Sequence, residues 1–404
     1  MLQRLDPDRS REVGKIRVCM EDGVDLVTML GERLNDVPPD ESTGPSDHDT
    51  HREGHPPSFL SFYRNQRTAA CVAWRDSRVE ILFRGSPLHA ARRAMNRVLI
   101  TGGLGVIGSR LAPYLRSHGY QVYILDNKVM KRDDYIRADV TSMVEVMEAF
   151  KRWDIDCILH LAGEVGRENG ELFARRSVDV NVSGTINLIQ LCRQYGAAIV
   201  FASSSEVYGD VGETVMHEDL PPGKMTNCYA LSKSQAEQYL KHFSENYDLR
   251  ARAIRIFMCY GPGEYPSYYR SAMTRFVYNL MRSRPVKVHR RAKRSWCYID
   301  DICAGWESVI RNMGAGPKYD VFNVGRHDPC TMRDVAEIIC QLTDRPKNLI
   351  QESDLPPFVS LVKNASFDKA KRLLGYEAKV DLEEGIRRTI EWQKETVHDD
   401  GIEC

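Results

Sequence analysis

From residue 97 onward, short apolar runs alternate with longer segments whose apolar residues recur every three or four positions. The first pattern predicts buried strands and the second amphipathic helices. Strands are expected at 97–101, 121–126, 157–161, 198–203 and 251–257, and helices at 105–118, 142–152, 178–195 and 232–246. This alternation implies an α/β fold: a doubly wound parallel sheet with helices on both faces. Pro113 falls inside the first helix, where it removes one hydrogen bond and should bend it. Beyond residue 257 the pattern loosens. Residues 258–395 read as a smaller α/β subdomain over the sheet's carboxyl edge, with one strand near 320–325 returning to the sheet and a tail at 396–404.

The first 94 residues differ. Residues 37–58 are rich in Pro, Asp, Glu, Gly, Ser and His and poor in apolar side chains, the composition of a linker or disordered segment. Residues 79–83 suit a short strand but have no obvious partner. Met95 stands directly ahead of the first buried strand, so residues 1–94 are expected to be a poorly ordered extension, or sequence upstream of the true start. A small domain is the alternative. His48, His51 and His55 lack the carboxylate or cysteine framework of a metal site, and no metal is expected.

Composition narrows the function classes. Lys+Arg and Asp+Glu are equal at 56 each, so no overall field draws the chain to nucleic acid or an anionic membrane. No apolar run approaches the ~18 residues of a membrane span, and the start lacks a signal-peptide core. The eleven cysteines are scattered, which fits a reducing, cytoplasmic setting.

The chemistry-bearing motifs lie at predicted strand ends. Gly102, Gly105 and Gly108 stand between the first strand and the first helix. There they permit a tight turn, close approach to a pyrophosphate and close helix–strand packing, while Val106 and Ile107 open the helix whose free N–H groups attract an anion. Asp126 and Asn127 close the second strand. A carboxylate there accepts bonds from ribose hydroxyls and repels a 2′-phosphate, favouring NAD over NADP despite Lys128, Lys131 and Arg132 nearby. Asp139 and Val140 fall where the adenine would lie, and Leu161, Ala162 and Gly163 where the cofactor's central portion would pass. Tyr229 and Lys233 are four apart on a helix and share a face. An ammonium beside a phenol makes it a usable base. Ser203, Ser204, Ser205 and Glu206 end the fourth strand, at the edge where such sheets bind ligands. The only dense basic run comprises Lys287, His289, Arg290, Arg291, Lys293 and Arg294, suited to a diphosphate.

Together with Asn181 and its Asn-Val-Ser-Gly-Thr context, these motifs resemble the extended short-chain dehydrogenase/reductase family, and within it the NAD-dependent nucleotide-sugar epimerases, dehydratases and decarboxylases. The resemblance runs from about residue 95 to 393 and includes 255–262 and 294–301; residues 1–94 have no counterpart. It implies a Rossmann-type fold, bound NAD and a homodimer built on helices 178–195 and 232–246, for which Leu188, Leu191, Tyr195, Ala236, Tyr239 and Leu240 have suitable spacing. It assigns C4 oxidation of a nucleotide-diphosphate sugar to Ser204, Tyr229 and Lys233, backbone support and proton relay to Asn181, and substrate contacts to Ser205, Met258 and Arg294.

Two departures complicate the reaction type. The dTDP-glucose 4,6-dehydratases carry Asp-Glu where this chain has Ser205-Glu206, and the UDP-glucuronate decarboxylases carry Arg where it has Gly263. The family's substrate-contacting Asn is Met258 here. With Glu206 as base at C5, the expectation leans narrowly to C5 chemistry: dehydration, then decarboxylation. A 4-epimerase is the alternative. A catalytically inactive regulatory protein that binds NAD or a sugar nucleotide is the reading from a different class.

Overall fold

The computed structural model describes residues 95–356 and 359–398 and, before them, three strands. The chain divides into two units, Met1–His89 and Ala90–Cys404. In the first, Lys15–Cys19, Ala69–Arg75 and Arg78–Phe83 form an antiparallel sheet in that order. The strand expected at 79–83 therefore has a partner, in a segment whose periodicity was too weak to suggest one. The three histidines and residues 37–58 lie outside the described residues.

The second unit is built on seven parallel strands: β1 (Arg97–Thr101), β2 (Gln121–Asp126), β3 (Tyr135–Arg137), β4 (Cys157–His160), β5 (Ala198–Ser204), β6 (Ala251–Ile256) and β7 (Tyr319–Val324). Their spatial order is 7-6-5-4-1-2-3. The order reverses between β1 and β4, the switch point where open α/β sheets receive ligands. The returning strand expected near 320–325 is β7. The three-residue β3 was too short to leave a periodic signal.

Helices cover both faces. Leu111 and Leu115 of helix Val106–Ser117 pack with Trp306 and Val309 of helix Ile299–Arg311 on one side. Val146 and Phe150 of helix Met143–Arg152 pack with Leu188, Leu191 and Leu240 on the other. The first helix runs through Pro113, which lies on its exposed side, where the carbonyl it leaves unpaired is solvated. The helix expected at 178–195 is broken into Ala174–Val178, a π-helical turn Asp179–Ser183 and Gly184–Tyr195. Leu188, Leu191, Ala236 and Leu240 are fully buried within the chain itself, so the spacing read as a dimer face is mostly core spacing. A third apolar cluster, with Phe276, Val277, Trp296, Val335, Ile339 and Ile386, holds the smaller subdomain together and touches Val106 and Ile107. That contact sets it over the glycine-rich turn. Among the described residues no helix is long and apolar enough to cross a membrane.

Candidate active site

The glycine-rich turn is packed too tightly for side chains. A Cβ on Gly102, which has φ +68°, would lie 2.6 Å from the Ala162 amide nitrogen, and one on Gly108 would lie 2.5 Å from the Gly102 carbonyl oxygen. Gly105 caps the following helix without any side-chain cap, and no acidic residue stands in its first turn. The positive end of the helix is thus left for an anion. Asp126 is buried at the tip of β2, its two carboxylate oxygens accepting from the Leu104 and Lys128 amides at 3.0 and 3.1 Å. Those bonds fix the carboxylate beside the turn with lone pairs to spare for ribose hydroxyls. Asn127 is exposed, Val140 is buried, and the half-buried Asp139 accepts from the Thr141 amide and hydroxyl. These features fit a dinucleotide. Gly108→Ala is expected to destabilise the fold by about 1–3 kcal/mol, the scale of an overpacked site, read as a lower urea midpoint.

Deeper in, Gly163 lies against two site residues: a Cβ there would meet Asn181 Oδ1 at 2.9 Å and Lys233 Nζ at 3.1 Å. Asn181 sits in the π-helical turn, fully buried. Its Oδ1 accepts from the Glu164 amide at 2.9 Å, and its Nδ2 donates to the Glu164 carbonyl at 3.0 Å and to Ser232 Oγ at 2.9 Å. It therefore ties the loop after β4 to the helix Cys228–Asn246 that carries Tyr229 and Lys233. This helix is capped by Asn227, whose Oδ1 accepts from the Ala230 amide at 2.8 Å. Lys233 donates to the Ala202 carbonyl at 2.9 Å, and burial pushes its ammonium down to about 7. His160 is core: it lies between Thr101 Oγ1 at 2.8 Å and Thr185 Oγ1 at 3.0 Å, and burial holds it down at about 3.

The strand pleat separates the serines. Ser203 points to Glu237, which also holds Arg255 in an ion pair. Ser204 faces the other way, toward Tyr229, where its hydroxyl acts against the burial that pushes the phenol up to about 12; its Oγ accepts from the Glu206 amide at 3.2 Å. Ser205 is buried in the turn that follows. The serine expected to act, Ser204, is thus the one brought to Tyr229.

Glu206 sits in a setting the sequence did not suggest. Its Oε1 is 2.7 Å from Lys363 Nζ and 3.9 Å from Arg167 Nη1, and its Oε2 accepts from Asn227 Nδ2 at 3.3 Å. Burial alone would push this carboxyl up, but Lys363 and Arg167 outweigh it and hold it at about 2. Lys363 lies on a two-residue strand far downstream, with no motif to mark it.

Two expected substrate residues are differently engaged. Arg294 is buried, and its guanidinium donates to the carbonyls of Lys293, Leu361 and Ser360 at 2.8, 2.9 and 2.8 Å. It pairs with neither Asp300, which meets Arg110, nor Asp301, which accepts from the Lys379 and Val380 amides. The rest of the basic run does not converge: Lys287 and Arg291 are exposed, and Arg290 meets Glu352. Met258 has a φ of +32°, a backbone state that suits Asn far better than Met. Its side chain packs on the subdomain's apolar cluster.

The chain is similar to several known proteins. A UDP-glucuronate 4-epimerase from Thermodesulfobacterium geofontis is 27% identical over 75% of this chain and 98% of its own length. A probable dTDP-glucose 4,6-dehydratase from Sinorhizobium fredii is 28% identical over 74% and 93%. The structure of a Thermus thermophilus UDP-glucose 4-epimerase in complex with NAD matches with a TM-score of 0.67 and 27% identity, covering 74% of this chain and all of that one. The description of the NAD dependent epimerase/dehydratase family matches residues 98–325, more than half of the chain, and this protein belongs to that family of enzymes.

Proposed function

We propose that this enzyme binds NAD and a nucleotide-diphosphate sugar, oxidises the sugar at C4 and reduces it again, with 4-epimerisation as the net reaction. The observation that carries this reading is the meeting of Ser204, Tyr229 and Lys233 at the carboxyl edge of β5, beside the glycine-rich turn. Gly102, Gly105, Val106, Ile107 and Gly108 would hold the pyrophosphate, Asp126 and Asn127 the adenosine ribose, Asp139 and Val140 the adenine, and Leu161, Ala162 and Gly163 the middle of the cofactor. NAD supplies the hydride acceptor. Tyr229 takes the proton of the C4 hydroxyl, Ser204 orients that oxygen, and Lys233 stabilises the phenolate.

Dehydration, favoured from the sequence, has less support in this geometry. A carboxylate held at about 2 by Lys363 is a weak base for a carbon acid. The neighbouring Ser205, where the dTDP-glucose dehydratases carry an acid, is buried and not acidic. Product made in D2O should therefore keep the substrate's mass apart from exchangeable hydrogens and carry no deuterium at C5. Loss of water or C5 deuterium would point back to dehydration, and loss of carbon dioxide to decarboxylation.

The enzyme is further proposed to act as a homodimer. Leu172, Phe173, Val178, Leu231 and Tyr239 are exposed apolar residues on the helices at 167–178 and 228–246, and a second copy is the partner that would cover them. Light scattering at micromolar concentration should give twice the chain mass; a monomeric mass would contradict it.

A further inference from the structure

The ion cluster beside Tyr229 holds more positive charge than its own residues neutralise. A small sheet sets Arg294 and Lys363 side by side in register. Both are buried, at 3% and 0% exposed. Like charges in directly opposed strand positions repel, and burial makes each unfavourable unless it is compensated. Arg167 approaches the same point from the helix Arg167–Leu172, with its Nη1 buried and no hydrogen-bond partner for it among the described residues. The carboxylate these cations share is Glu206, 2.7 Å from Lys363 and 3.9 Å from Arg167. Despite that carboxylate, burial, aided by Arg167 and Arg294, pushes Lys363 down to about 8. Three cations face one acid.

We propose that Arg167 and Lys363 receive a carboxylate of the substrate, so that the sugar is a hexuronate. This rests on the reading that Ser204 and Tyr229 work at C4. Arg167 belongs to the reacting end of the sugar. One turn along its helix, Gly170 packs against Tyr229 so closely that a Cβ would lie 2.8 Å from the Tyr229 amide nitrogen. Glu206, which Arg167 and Lys363 flank, is two residues from Ser204 and acts electrostatically on Tyr229. An anionic group met here would be carried by a carbon next to C4. C3 bears only a hydroxyl, whereas C5 bears C6, which in a hexuronate is the carboxylate. Burial does not separate these cations from the chemistry, since Tyr229 and Lys233 are themselves only 8% and 2% exposed.

The cluster also bears on the product. Once C4 is a ketone, the C6 carboxylate is β to it, and breaking C5–C6 would release carbon dioxide while its electron pair moved onto C5 and O4. Cations placed on the carboxylate stabilise its charge before that bond breaks and lose it afterwards, which raises the barrier. The C5–C6 bond therefore stays, the hydride returns to C4, and the expected product is the 4-epimeric hexuronate with its carboxylate intact.

The test uses the full chain with NAD and matched hexose and hexuronate pairs on UDP, dTDP, GDP and CDP. On the base that supports turnover, kcat/KM should favour the hexuronate by at least ~30-fold, the lower end for an unpaired buried charge. Arg167→Gln, at a partly exposed residue whose loss the fold tolerates better than that of Lys363, should narrow this ratio at least ~10-fold. Equal or better turnover of the neutral hexose would overturn the hexuronate assignment and leave the C4 reading standing. A ratio unchanged in the variant would remove Arg167 from carboxylate binding. Equal weakening of the bare nucleoside diphosphate would move the anion subsite to the diphosphate and overturn the proposal. Absence of turnover with every sugar nucleotide would overturn the C4 reading and this one with it.

Discussion

Tyr229→Phe is expected to leave NAD bound and to lower turnover about 10²-fold or more, the scale of a lost general base. The ring packs in the helix start Cys228–Asn246 and is 8% exposed, so Phe fills the same space and only the hydroxyl is lost. Burial pushes the pKa of that hydroxyl up to about 12, and Ser204 acts against the rise. A phenol so placed stays protonated at neutral pH unless positive charge lowers it. Lys233, one helical turn on and 5.9 Å from the Tyr229 ring centroid, is the chain's own source of that charge. Steady-state kinetics would give the loss, and fluorescence titration with NAD would show whether binding persists. Turnover near the wild-type rate would remove Tyr229 from the mechanism.

Glu206→Gln is expected to destabilise the fold by about 3–5 kcal/mol, the cost of breaking a buried ion pair. The variant leaves Lys363, which is fully buried, without its counter-charge at 2.7 Å. Adding Lys363→Met should recover much of the loss, because the paired change removes both charges. The pH dependence has a definite sign. The folded-state pKa of Glu206 lies near 2, below its ordinary 4.5, so its contribution is complete above about 4.5 and is lost as pH falls through about 2. Urea unfolding across that range should show an acid-side decline in the wild type that the variant lacks. Equal stability of wild type and Glu206→Gln would mean that the pair contributes nothing.

The sequence determined the central sheet, the glycine-rich turn and the Tyr229/Lys233 face because each is a local pattern. Strand burial, helix period and a four-residue offset are written within a dozen residues, and six of the seven strands were expected, the returning β7 among them. The short β3 was not legible. The choice among Ser203, Ser204 and Ser205 needed the pleat of β5, which sends Ser203 to Glu237 and Ser204 to Tyr229. The spacing read as a dimer face was mostly core, since Leu188, Leu191, Ala236 and Leu240 are buried within one chain while Tyr239 stays exposed. Most of all, the state of Glu206 was decided by Arg167 and Lys363, brought to it from elements 39 residues before and 157 after. A single Lys on a two-residue strand carries no periodicity, and an ion pair across such a separation exists only once the chain has folded. Hence the Tyr229/Lys233 pair was legible in the local order of the chain, while the charge around Glu206 came from tertiary packing alone.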